Sequence, residues 1–148
     1  MKQEDKELLL KDLCARLPYN VICQVEFKEN GKYNSKVMLL SGIFTDKAYF
    51  TTKGGSIYSN EYKPYLFPLS SMTEEQKKYI SNKWGINEEF DFEIDPNWGE
   101  YFVELGYTVE FIDWLNKNHF DYRGLIDKSL ALDATGLNIY KLWLSEKL

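Results

Sequence analysis

One histidine, two cysteines and four prolines are all that 148 residues offer of the side chains on which metal sites, thiol chemistry and rigid turns depend. His119 with two distant cysteines leaves too few donors for a zinc site, and no metal is expected. Cys14 and Cys23 lack a C-x-x-C spacing and read as buried small hydrophobes on an apolar helix face and an apolar strand face, without a disulfide. No apolar run approaches the roughly 20 residues needed to cross a bilayer. The opening Met1–Leu13 is too charged for a secretory signal, so a cytoplasmic protein with no membrane partner is expected. Nine glycines exclude collagen-like and low-complexity classes. Between Lys83 and Lys117 there is neither Lys nor Arg.

What the chain does contain is ordinary in total and uneven in distribution. A hydrophobic fraction of 44% and a charged fraction of 28% suit a globular chain, and the length suits one domain over residues 1–148. Aromatics make up 16%, more than one domain of this size hides, so some should line a groove or an interface. Charge is split as well. Residues 1–84 hold 13 basic and 10 acidic side chains, whereas residues 85–148 hold 5 and 13, which predicts one strongly negative surface.

Periodicity gives an α+β order of elements. Leu10, Leu13, Cys14 and Leu17 make an apolar stripe on a helix over 6–17, which Pro18 stops. Val21, Cys23, Val25 and Phe27 alternate with a mainly polar face, and Asn30-Gly31 signals a type I′ hairpin leading to a central strand over 37–44. Shorter strands over 48–51 and 56–58 complete a small antiparallel meander, whose closure into a barrel stays open. Pro64 and Pro68 hold 63–68 extended. Ser71-x-x-Glu74 reads as a capping box for a helix over 73–83. Phe90, Phe92 and Ile94, then Tyr101, Val103 and Leu105, predict an acidic β-hairpin turning at Asp95–Gly99. Thr108 should cap a helix burying Phe111, Ile112, Trp114 and Leu115. Asp121 should cap a short helix over 122–128, and Leu137, Tyr140, Trp143 and Leu144 form a last amphipathic stretch.

Three segments carry a resemblance: Leu13–Tyr19 (LCARLPY), Lys63–Glu75 (KPYLFPLSSMTEE) and Asp113–Lys128, which contains DWLN and then HFDYRGLIDK. In order and spacing they are similar to a family of short proteins from gut Bacteroidales bacteria and their phages and mobile elements, across about residues 8–134. No established activity comes with that family. The resemblance therefore implies genome context and not chemistry. Phe67 stands where the family has Arg, adding to the expected exposed aromatic load, and Ser129 stands where it has Gly, a place suited to a left-handed helix end. The tail over 142–148 lies beyond the usual family end.

His119-x-Asp121, with Arg123 following, is the one constellation that looks like general acid/base equipment, since a histidine near a carboxylate can titrate near neutrality. The same spacing describes a helix–helix connection, with His119 in the last turn of one helix and Asp121 capping the next. That structural reading is preferred because no nucleophile sits in a motif context; it leans away from an enzyme and calls for no cofactor. A calcium loop over Asp91–Gly99 fails because Pro96 occupies the glycine position and Phe102 stands where the closing Glu belongs. Two function classes remain. The first is a non-enzymatic interaction or accessory protein of phage, mobile-element or host origin. It would meet a basic protein partner through Asp91, Glu93, Asp95, Glu100 and Glu104, with Trp98 and Phe102 as apolar anchors. The alternative is a small-barrel nucleic-acid binder using Lys28, Lys32, Lys36, Lys47, Lys53 and Lys63 among the aromatics of residues 28–65.

Overall fold

The computed structural model describes residues 1–85 and 108–145. The acidic hairpin, with Asp91, Glu93, Asp95, Trp98, Glu100, Phe102 and Glu104, lies outside the described residues.

Helix α1 (Gln3–Arg16) carries Glu4 and Asp5 in its first turn and Arg16 in its last, each complementing the helix dipole. Its buried residues are Leu9, Asp12, Leu13 and Arg16, so the helix is rotated from the expected stripe. Cys14 is consequently exposed, a correction to its reading as buried, while Cys23 is buried. The reason is electrostatic: Asp12 and Arg16 pair with each other, which lets both go inside alongside the leucines. A 3-10 turn over Leu17–Tyr19 and a left-handed Asn20 then redirect the chain.

Five strands form the antiparallel body: β1 (Ile22–Glu29), β2 (Lys32–Ile43), β3 (Ala48–Thr52), β4 (Gly55–Ser59) and β5 (Glu61–Pro68). Asn30 and Gly31 have φ of 52° and 76°, both positive as a type I′ turn requires. β2 thus begins at Lys32 rather than at Val37, because the tight turn pairs Glu29 with Lys32 and Lys28 with Tyr33 before any apolar residue is reached. The segment held extended by its two prolines is a full strand. It takes part in the order β4-β3-β2-β1-β5-β6, where β6 (Phe120–Asp121) and β7 (Leu132–Asp133) run parallel to β5. β4 and β5 are joined through Asn60 alone yet lie on opposite sides of the β1–β2–β3 core, so the sheet curls. It does not close into a barrel.

Helix α2 (Glu74–Trp84) is capped by Thr73, whose side chain accepts from the Gln76 N–H while Gln76 accepts from the Thr73 N–H. The expected Ser71–Glu74 box is not formed: Ser71 donates to the Pro68 carbonyl and closes a 3-10 turn instead. Helix α3 (Thr108–Lys117) buries Phe111 and Leu115 fully, with Trp114 and Ile112 half-buried; capping by the Thr108 side chain lies outside the described residues. No helix forms over residues 122–128, which are turns. In α4 (Ile139–Leu144) the inward residues are Ile139, Tyr140 and Trp143, whereas Leu144, and Leu137 ahead of the helix, are exposed.

Apolar burial falls into three clusters. One face of the sheet (Val21, Cys23, Val25, Met38, Leu40, Phe50, Leu66) packs on Leu9 and Leu13 of α1 and on Leu125 and Leu130. Ile22 and Tyr65 on the other face meet Ile139, Tyr140 and Trp143. The third cluster joins Ile80 and Trp84 of α2 to Phe111 and Leu115 of α3 and to Phe120. Much of the aromatic excess is spent here: Trp84 meets Phe111 edge-on at 5.3 Å, and Trp114 stacks on Phe120 at 5.7 Å. Phe67 belongs to this interior too, against Phe120 and Tyr140, and is half-buried rather than exposed. Tyr140 donates its hydroxyl to the Tyr65 carbonyl at 2.6 Å and pins α4 to the sheet.

Candidate functional site

The constellation around His119 is built where α1, β6 and the turns after it converge. Helix α3 ends at Lys117, and His119 has φ of 63°, so it lies past the last helical turn and leads into a strand rather than a second helix. Its carbonyl accepts from the Phe67 N–H at 2.8 Å. The imidazole stacks on the Tyr140 ring with centroids 3.7 Å apart, and its Nδ1 is buried with no hydrogen-bond partner among the described residues. Burial, reinforced by the Arg16 cation, holds the His119 pKa down at about 4. A neutral, covered ring with so weak a base is poor general acid/base equipment near neutrality.

Asp121 is occupied as well. Its two carboxylate oxygens accept from the Leu125 and Ile126 N–H groups, each at 2.9 Å. Burial raises its pKa, opposed by those two bonds and by Arg16. Asp121 therefore organises a backbone turn in place of the helix cap expected of it, and no hydrogen bond joins it to His119.

The residues that sequence reasoning missed are at the centre. Arg16 heads the largest fully buried side chains. Its Nε donates to Asp12 Oδ2 at 2.7 Å, and its Nη2 donates to Asp12 Oδ1 at 3.1 Å and to the Phe120 carbonyl at 2.6 Å. Arg123 approaches the same carboxylate at 3.5 Å, and both guanidiniums face the Tyr122 ring. The Tyr122 hydroxyl in turn donates to Asn116 Oδ1 at 2.8 Å. Asp12 and Arg16 stand four apart on the helix stripe that also holds Leu9 and Leu13, which is the signal that could have exposed them. Arg16 Nη1 is buried without a hydrogen-bond partner among the described residues, whereas its other nitrogens, Asp12 and Tyr122 are engaged, so the cluster ties α1 to the chain after α3.

Cys23 is fully buried, which pushes its thiol pKa well up. Among the described residues no group of three His, Cys, Asp or Glu could hold a metal ion. No helix among them is long and apolar enough to cross a membrane.

Among the described residues, Tyr79 on α2 is an exposed aromatic, and a group of others lies along the outer face of the sheet. Tyr58 packs against Tyr49 at 4.9 Å and Phe44 at 5.7 Å, and Lys47 sits over the Tyr58 ring at 4.9 Å. Phe44 and Tyr58 nevertheless keep 49% and 55% of their surface in water. Near the β1–β2 turn, Lys28 lies 4.8 Å over the ring of Tyr33, itself 68% exposed. Two hollows flank these groups. One of about 870 Å³ separates Lys6 and Leu10 of α1 from Phe44, Lys47 and Tyr62. Another of about 610 Å³ lies between the end of β1 and β4. Of the basic residues named for a nucleic-acid face, Lys28 and Lys47 are thus brought onto exposed aromatic rings; the acidic residues named for a partner lie outside the described residues. Comparison with known proteins yields no family model, no curated protein and no solved structure that matches this chain.

Proposed function

We propose that this is a non-enzymatic binding protein that docks a protein partner through the outer face of its curled sheet. The observation that carries the reading is the exposed pair Phe44 and Tyr58, packed on half-buried Tyr49 with Lys47 over Tyr58, large apolar side chains that the fold leaves in water while it places other aromatics inside. The one acid/base-like constellation supports the same reading from the other side, since the Asp121 carboxylate is taken up by the Leu125 and Ile126 N–H groups and the His119 ring is stacked on Tyr140. The run of carboxylates over residues 88–104 is suited in charge to a basic partner. The resemblance in sequence suggests a setting among phages and mobile elements.

Single-stranded nucleic acid is the second reading, favoured by the two lysine–tyrosine stacks on one sheet face. Glu26, Glu61 and the net charge of -5 oppose it. A photo-cross-linking phenylalanine analogue placed at Tyr58, with exposed Lys128 as the control site, separates the readings in cells that carry the native gene. A protein adduct at position 58 and none at 128 is the expected result. A nuclease-sensitive adduct would transfer support to the second reading, and no adduct at position 58 would contradict both.

A further inference from the structure

We propose that the open seam of the sheet, between the free edge of β4 and the end of β1, takes an extended segment of a partner protein that adds as a strand and offers a basic side chain to Glu26 and Glu61. This deepens the binding-protein reading by naming its ligand, and it rests on that reading.

The backbone register shows which groups are available. The Phe44 N–H donates to the Lys47 carbonyl at 2.9 Å, and from there the antiparallel alternation assigns the hydrogen-bonded pairs. Ala48 and Phe50 face β4, where their partners are Ser59 and Ile57. The backbone groups of Ser56 and Tyr58 therefore point off the edge of the sheet. On the far side, the Leu40 N–H donates to the Val21 carbonyl at 2.9 Å. The alternation from that bond turns the backbone of Gln24, Glu26 and Lys28 toward β5. β5 pairs with β1 only as far as Glu26, so Lys28 is left with an open N–H and carbonyl.

These two edges face each other across the hollow of about 610 Å³, which is lined by Phe27, Lys28, Tyr33, Ile57 and Tyr58. One end is shut by Ser59, whose hydroxyl donates to the Glu26 carbonyl at 2.6 Å and accepts from the Glu61 N–H at 3.1 Å. The other end is open, so a strand can enter. β4 reads Gly-Ser-Ile-Tyr-Ser. It carries none of the charges or prolines by which natural edge strands discourage pairing.

Charge specifies the occupant. Glu26 and Glu61 are direct cross-strand partners, a like-charge pair that is unfavourable in a sheet. Neither has a cation within ion-pair distance among the described residues. A Lys or Arg on the incoming strand would relieve that repulsion, while its apolar neighbours would meet Phe27 and Ile57. Main-chain pairing supplies the affinity and alternate side chains the choice of sequence, as in other strand-addition complexes.

The test uses the full chain and a fluorescein-labelled peptide of alternating Val and Thr with Lys at both ends. Two controls accompany it: the same peptide with Glu ends, and one N-methylated at alternate residues. Fluorescence anisotropy should show saturable binding of the Lys peptide, weakened about tenfold by Glu26→Gln with Glu61→Gln and by the exchange of Lys for Glu. N-methylation should abolish it, and bound peptide should slow amide exchange at Lys28, Ser56 and Tyr58. Absence of binding, equal binding of the N-methylated peptide, or protection confined to other amides would overturn the proposal. A partner cross-linked at Tyr58 without protection of Lys28 and Tyr58 would refute the seam and leave the binding reading standing. Loss of the cross-link as well would remove both.

Discussion

Removing Asp12 should be among the most damaging single changes available to this protein. The Arg16 guanidinium has no exposed surface and is held by two bonds to Asp12, at 2.7 and 3.1 Å, with one more to the Phe120 carbonyl. Without the carboxylate the buried cation keeps the Phe120 carbonyl, the Tyr122 ring and the more distant Asp121 carboxyl, with the Arg123 cation close by. Breaking one side of such a pair costs about 3 to 5 kcal/mol, a large share of the roughly 5 to 15 kcal/mol by which domains are stable. Arg16→Met should cost a similar amount, because it strands the Asp12 carboxylate with Arg123 alone at 3.5 Å. The pair removed together, Asp12→Leu with Arg16→Met, should cost well under the sum, with a coupling on the order of 2 kcal/mol. Urea unfolding followed by circular dichroism measures all three against the parent chain. Single variants that each cost under about 1 kcal/mol, or costs that simply add, would refute the reasoning and return the pair to the status of a surface contact.

Three further outcomes follow from the same geometry. His119 refuses a proton in the folded chain down to about pH 4 yet accepts one near 6.5 when unfolded, so its contribution is complete above about 6.5 and is lost as pH falls toward 4. The loss should be about 3 kcal/mol, and His119→Phe should flatten the stability profile over that interval. A proton NMR titration of the ring with a midpoint near 6.5 would contradict this. Asp121→Ala leaves the Leu125 and Ile126 N–H groups without their acceptor and should lower stability by about 2 kcal/mol in thermal melts, more than loss of an ordinary helix cap. Ser129 sits at φ of 60°, where a side chain strains the backbone. Ser129→Gly should therefore raise stability by about 0.5 to 1 kcal/mol, and a lowered melting temperature would count against the strain.

The sheet was legible because its signals are local. Asn30-Gly31 demands positive φ at both positions, and the alternation of Val21, Cys23, Val25 and Phe27 assigns one face to the core. The strand start at Lys32 was hidden because hairpin pairing, not hydrophobicity, extends β2 through polar residues. The turn of α1 was misjudged for a complementary reason. Sequence hydropathy treats Asp12 and Arg16 as outward residues, whereas their pairing with each other and with the distant segment Phe120–Arg123 allows both to be buried. The contacts of His119 and Asp121 depend on Tyr140 and on the turn at Leu125, which have no signature in spacing. Of the binding surface, the abundance of aromatics was visible, but which of them the fold would leave in water was not.

If the exposed sheet face binds the partner and the buried interior only holds the fold, one comparison separates the two most directly. Phe44→Ser with Tyr58→Ser, and His119→Phe alone, are introduced into the native gene, and the partner cross-linked at Tyr49 through a photo-reactive analogue is quantified for each. The account predicts loss of the adduct in the double surface variant, whose melting temperature stays close to that of the parent, and full retention in His119→Phe. Retention in the surface variant together with loss in a folded His119→Phe would contradict it.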